Sequence, residues 1–220
     1  MNPPSVSGPI LVCFAVREEA AFFRPAPGNS FHTEVLLTGM GKKNAEKTFE
    51  EKIKTIRPSL VLSSGFAGGL NPALSVGDVV FEEDCAAHLS AALPALGAIP
   101  ARFYCANRVA VTAEEKQKLR QETGCDAVEM ESSVIRQICR DRQIPNATLR
   151  VISDAAGDDL ILDFNALMTR EWKIDYFKLA RVILRNPAKV PGLISFQRQT
   201  AQAARKLGSV LDNLLRLRGN

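Results

Sequence analysis

The stretch AVEMESSVIRQICRDRQIPNATLRVISDAAG, residues 127–157, constrains the fold more than any other part of the chain. It reads as a short strand bearing carboxylates, a helix, a tight link and a second strand that ends in Ser153-Asp154. A strand–helix–strand unit of this kind predicts a parallel crossover, which brings both strand ends to one edge of a sheet. Ligands of open α/β sheets bind at that edge. Glu129, Glu131 and Asp154 are therefore expected in one pocket although they lie far apart in the chain.

The rest of the sequence supplies more units of the same type. Residues 10–16 form a continuous apolar run, as expected of a strand buried on both faces. Glu18 and Glu19 follow, where acids suit a helix N-terminus. Residues 25–29 read as a turn and residues 34–38 as a second strand. Gly39-Met40-Gly41-Lys42 then leads into a helix with Ala45, Phe49, Ile53 and Ile56 on one face. A glycine pair between strand and helix lets backbone approach a ligand, and the helix N–H groups can hold an anion. The spacing matches neither a full P-loop nor a full dinucleotide fingerprint.

Residues 60–64 read as a third strand, and the glycine-rich run 65–69 as a chain reversal beside a ligand or another backbone. Residues 76–81 resume as a strand. Residues 85–101, rich in Ala, Leu and Pro, are expected to cover the pocket as a mobile loop, with His88 as a loop histidine. Residues 109–112 suggest another strand. Thr112-Ala113-Glu114-Glu115 resembles a capping box that starts a helix, and Gly124 ends it. Helical segments are expected near 164–168 and 176–184, with breaks at Asn186-Pro187 and at 190–192. The last helix is expected over about 199–217. Its Ala204, Leu207, Leu211 and Leu214 stripe is read as packing.

Length suits one domain over residues 1–220, with a basic helical C-terminal segment from about 171 as part of it. Apolar residues at 46% and charged residues at 24% are ordinary for a globular chain. No stretch of about 18 apolar residues suggests a membrane span, and the start lacks the basic region of a signal peptide. Five widely spaced cysteines without a CxxC argue against a zinc site or disulfide framework, and fit a reduced cytoplasm. Residues 171–220 hold ten Lys and Arg against three acids, a net +7, which leaves −3 for the rest. That excess is a solvated helix face or a peripheral contact with a membrane surface or acidic partner. Nucleic-acid binding is not indicated, because no aromatic residues interleave with the charges.

Four blocks together carry a family resemblance: CFAVREEAAFF, TGMGKKNAEKTFE, SSGFAGGLNPALSVGDVV and the stretch from 127 to 157. In this order they resemble the purine nucleoside phosphorylase family with the fold of methylthioadenosine/S-adenosylhomocysteine nucleosidase. The tail LARVILRNPAKVPGLISF looks like the hopanoid-associated branch, which is thought to remove adenine from adenosylhopane. The resemblance implies a three-layer α/β fold whose central mixed sheet is partly closed to a barrel and flanked by helices. It implies a homo-oligomer, and a site without metal or cofactor in which phosphate is a possible co-substrate.

Residue by residue, the resemblance places Asp154 as the purine-binding acid and Glu19 as the carboxylate that activates water. It places Met130 and Glu131 at the ribose, with Arg150 and Ser153 supporting Asp154, and Gly65 and Phe66 lining the substrate. These residue types suit the chemistry. Breaking a ribosyl–purine bond builds positive charge on the sugar and negative charge on the base. A carboxyl sharing a proton with N7 stabilises the departing purine, and a second carboxylate accepts a proton from water. Some positions depart from the family pattern. Phe66 stands where many relatives carry Ser or Thr. The sequence has no arginine beside Ser63, an aliphatic run at 109–111 replaces a base-stacking aromatic, and Gly157 replaces a second acid. Three readings follow: cleavage of an adenosylhopane-type purine nucleoside by hydrolysis or phosphorolysis, a methylthioadenosine/S-adenosylhomocysteine nucleosidase, or an inactive ligand-binding homologue.

Overall fold

The computed structural model describes residues 8–25, 32–169, 171 and 175–219. Most of the turn read at 25–29 lies outside them. The apolar runs become the central strands β1 (Ile10–Phe14), β2 (Thr33–Leu37) and β3 (Leu60–Gly69). They are followed by β4 (Val79–Glu83), β5 (Ile99–Pro100), β6 (Phe103–Cys105), β7 (Ala127–Glu129) and β8 (Asn146–Asp154). The sheet order is β2-β1-β3-β8-β4-β5, and β7 joins β3 to β6 off this path. β1, β2, β3 and β8 are mutually parallel, whereas β4 runs antiparallel to β8 and β7 antiparallel to β3; β4–β5 and β6–β7 are parallel pairs. Ala101 and Arg102 separate β5 from β6, which pair with different strands, β4 and β7.

Helices cover both faces, giving the expected three layers. On one face, α2 (Lys42–Ile53) and α5 (Ser132–Asp141) bury Phe49, Ile53, Ile135 and Cys139 against Leu11, Cys13 and Val61. On the other, α8 (Val190–Gly219) places Ala203, Leu207, Leu211 and Leu214 against Val12, Phe14, Leu62 and Leu149. Short helices α1 (Arg17–Ala20) and α3 (Ala92–Ala95) contact α8. α4 (Ala113–Thr123) starts at Thr112, whose hydroxyl accepts from Glu115 N at 3.1 Å, and stops at Gly124 in the left-handed region. α6 (Phe164–Leu167) and α7 (Tyr176–Arg185) follow the site.

Several expectations are corrected. The unit over 127–157 is not a parallel crossover: β7 pairs antiparallel with β3, while β8 pairs parallel with it. The glycine-rich run is not a reversal but the second half of β3, which lets other groups approach that strand closely. Residues 85–101 do not form a mobile cover. A short 3-10 turn and α3 turn Ala87, Leu89, Leu93 and Ala98 inward, so these belong to the α8-side core. His88 is exposed beside them. Residues 109–112 are irregular rather than a strand, tied down by Asn165, whose side chain hydrogen-bonds Val109 N and O at 2.9 Å. Pro191 and Gly192 do not break the tail, because α8 begins at Val190 and proline is tolerated in a first helical turn.

The C-terminal helix is thus a core element rather than an appendage. Leu211 is fully buried, and Leu211→Ala is expected to cost about 2–5 kcal/mol through lost burial and a residual cavity. Urea unfolding of the two proteins, followed by circular dichroism, measures this.

Candidate active site

One edge of β3 is shared by two strands. β1 covers it up to Ser63, and β7 covers it at Gly68 and Gly69. Because β1 runs parallel and β7 antiparallel to β3, their carboxyl ends point toward each other across the gap between. β8 pairs along the opposite edge and sets Arg150 beside Gly65. The antiparallel placement of β7, not a crossover, therefore delivers the Glu129–Glu131 turn to the end of β1, where Glu19 waits.

Glu19 fills the gap left on β3. Its carboxylate accepts hydrogen bonds from Phe66 N at 2.8 Å, Ala15 N at 2.8 Å and Val16 N at 3.2 Å. Gly65, at φ +149°, is the residue that permits this, since a Cβ there would clash with the Glu19 carboxylate. Glu131 lies at the start of α5 and accepts Gly41 N at 2.8 Å. The glycine pair before α2 does hold an anion, and that anion is the protein's own carboxylate. Glu129 accepts from the backbone of Glu131 and Ser132 and from the Ser132 hydroxyl, so it shapes the turn.

Arg150, expected to support Asp154, instead binds the glutamate cluster together from β8. Its Nη2 lies 2.8 Å from Glu129, 3.7 Å from Glu131 and 3.3 Å from Ser63 Oγ. The arginine missing beside Ser63 in the sequence is therefore supplied in space by β8. Nε and Nη1 of Arg150 are buried without a hydrogen-bond partner. Burial pushes the Glu19 carboxyl above its usual range despite Arg150 and the three backbone donors. Burial also pushes Glu131 up, helped by the charges of Glu129 and Glu19, to about 8. For Glu129 burial acts in the same direction, but the Arg150 charge and hydrogen bonds outweigh it and leave the group lowered.

Asp154 lies further along β8, with its carboxylate against Gly68. Glu19 and Asp154 thus flank β3 three residues apart, a separation of about 10 Å along the strand. Ser153 Oγ lies 2.6 Å from Asp154 Oδ1 and 3.3 Å from Ala67 O. Met130 is buried in the turn between the two glutamates. The Phe66 ring packs on the α8-side core while its N–H serves Glu19.

The structure adds Lys116, which sequence reasoning did not single out. This fully buried residue of α4 reaches Asp154 Oδ2 at 2.5 Å, Ala155 O at 2.9 Å and Asp158 O at 2.8 Å. It gives Asp154 a counter-ion and pins the loop after β8. Nothing in the helix pattern distinguishes it from the exposed Lys118 two residues on, since its role depends on how α4 packs.

Two predictions follow from these charges. Lys116→Met leaves Asp154 buried without its cation and is expected to cost about 3–5 kcal/mol in urea unfolding, with Lys116→Met/Asp154→Asn recovering part of the loss. Glu131, raised in the folded state, binds its proton more tightly there than in the unfolded chain. Its contribution to stability is present below its unfolded pKa and is lost as pH rises toward about 8. Stability should therefore fall between about pH 5 and 8, and Glu131→Gln should flatten that fall in unfolding curves taken at both ends.

The family model described as Phosphorylase superfamily matches residues 32–97 and 98–216. The 5'-methylthioadenosine/S-adenosylhomocysteine nucleosidase of Anoxybacillus flavithermus is 24% identical over 212 residues, covering 73% of this chain and 91% of its own length. That of Staphylococcus aureus is 27% identical over 173 residues, covering 62% and 75%. Among solved structures, Helicobacter pylori futalosine hydrolase shares the fold with a TM-score of 0.65 at 20% identity, over 94% of this chain and 97% of that one. The Campylobacter jejuni methylthioadenosine/S-adenosylhomocysteine nucleosidase does so with a TM-score of 0.68 at 15% identity, over 96% and 99%. The family model, matched over most of the chain, makes this chain a member of the phosphorylase superfamily.

Proposed function

We propose that the protein hydrolyses the N-glycosidic bond of a purine nucleoside. The observation that carries this is the buried set of Glu19, Glu129 and Glu131 around one arginine, with Asp154 about 10 Å further along the same strand. Ribose sits over Glu131 and Met130, and the base lies toward Asp154 and Ser153. A water between Glu19 and the sugar attacks C1′ as the bond to N9 breaks. The electron pair leaves with the purine, N7 takes a proton carried by Asp154 in its protonated form, the proton of the water passes to ionised Glu19, and its return to Asp154 through solvent resets the site. Glu131 holds the ribose hydroxyls and faces the positive charge growing on the sugar, which its carboxyl oxygens stabilise. The free N–H groups of Arg150 offer donors to the water or a ribose hydroxyl.

The same charges favour water over phosphate. Three carboxylates surround a single guanidinium, so a phosphate dianion would enter a site with no surplus positive charge. For the 5′ substituent, the resemblance of the tail to the hopanoid-associated branch supports an adenosylhopane-type substrate. The curated nucleosidases at 24% and 27% identity support a small thioether such as methylthioadenosine.

Free base released from adenosylhopane, methylthioadenosine, adenosine and inosine, each with and without phosphate, distinguishes these readings. Adenine release from one of the first two without phosphate is the expected result. A requirement for phosphate would make the enzyme a phosphorylase, and no release from any substrate would favour a ligand-binding homologue. Asp154→Asn is expected to lower turnover about a hundredfold or more; an unchanged rate would remove Asp154 from the reaction.

A further inference from the structure

Helix α7 presents a face that nothing in the described chain covers. Tyr176, Phe177 and Leu184 are 75%, 91% and 82% exposed, and the helix has no buried residue. At 100° per residue, Tyr176, Phe177, Ala180 and Leu184 fall on one side of α7, and all four are exposed. Leu179, Val182 and Ile183 fall on another side and are half-buried. Arg181 and Arg185 lie together along one edge of the exposed apolar side. Neither makes an ion pair among the described residues. Asp175 caps the helix by accepting from Phe177 N and Lys178 N at 3.1 Å, so α7 has a defined start.

The charge around this face has one sign. No acidic residue occurs between residues 176 and 211, whereas Lys178, Arg181, Arg185, Lys189 and Arg198 do. Ile194, in the first turns of α8, is also 46% exposed. Exposed aromatic and aliphatic side chains edged by arginine are the pattern of a helix lying in a bilayer interface. No helix of the described residues is long and apolar enough to cross a membrane, so the contact is with the surface.

We propose that α7 docks the protein onto an anionic lipid bilayer, with Phe177 and Leu184 inserted among the acyl chains and Arg181 and Arg185 against the headgroups. A second copy of this chain fits the face less well. A two-fold contact would set each patch against itself, and the arginines against arginines. Short helical length makes the attachment reversible and salt-sensitive, since one helix of this size buries few apolar residues and relies on the charges to hold it.

Co-sedimentation of the full chain with vesicles tests the proposal. The expected result is binding to phosphatidylcholine vesicles containing phosphatidylglycerol, little binding to phosphatidylcholine alone, and release at high salt. Arg181→Gln and Arg185→Gln should each lower the partition coefficient about fivefold. Phe177→Ser/Leu184→Ser should abolish binding. All four side chains are exposed, so these variants are expected to keep the wild-type circular dichroism and nucleosidase turnover. Failure to bind anionic vesicles, or binding that is indifferent to both sets of substitutions, overturns the proposal. So does sedimentation analysis in which Phe177→Ser/Leu184→Ser dissociates a dimer without changing lipid binding, which would assign the face to a second copy.

Discussion

The guanidinium of Arg150 is the interaction on which the site depends. It is almost wholly buried on β8, where an isolated cation would be costly, and it is retained because Glu129, Glu131 and Glu19 surround it. The dependence is mutual. Without the arginine, three carboxylates would be crowded into a space with little water. With it, Glu129 stays charged as a structural ligand, while Glu131 and Glu19 are left with raised affinity for protons. Two neighbouring glutamates of one turn thus acquire different roles through environment alone.

That cluster forms only because β3 is thin where it needs to be. Glu19 lies against Gly65 and Asp154 against Gly68. A side chain at either position would push a carboxylate away from the strand. β1 and β7 stop short of each other on the same edge, so Phe66 N is free to bind Glu19 instead of a strand partner. The glycine run, the interrupted edge and the buried arginine are one arrangement seen from three sides.

The lysine–aspartate pair extends the arrangement away from the sugar side. Lys116 ties the end of β8 to α4 and satisfies its three donors on Asp154, Ala155 and Asp158. A counter-ion at this point keeps the acid of the proposed leaving-group site oriented. The core beneath is ordinary close packing. α8 and residues 85–101 share it, which is why the basic C-terminal segment is anchored at one end of α8 and exposed around α7.

Apolar runs of 4–5 residues, capping residues and terminating glycines fixed most strands and helices locally, because they act through backbone geometry and burial of near neighbours. The motif blocks likewise pointed to Glu19, Glu131, Arg150 and Asp154. The direction of β7, the continuation of β3 through its glycines, the inward packing of residues 85–101 and the start of α8 at Val190 were not legible, since each depends on contacts between distant segments. The sequence by itself determined which acids and which arginine the chain has to work with. Only the tertiary structure decided that Arg150 stands beside Ser63 and among three carboxylates, and that Lys116 pairs with Asp154. The physical reason is that ion pairs between residues far apart in the chain are chosen by how strands and helices pack, and no local pattern encodes that choice.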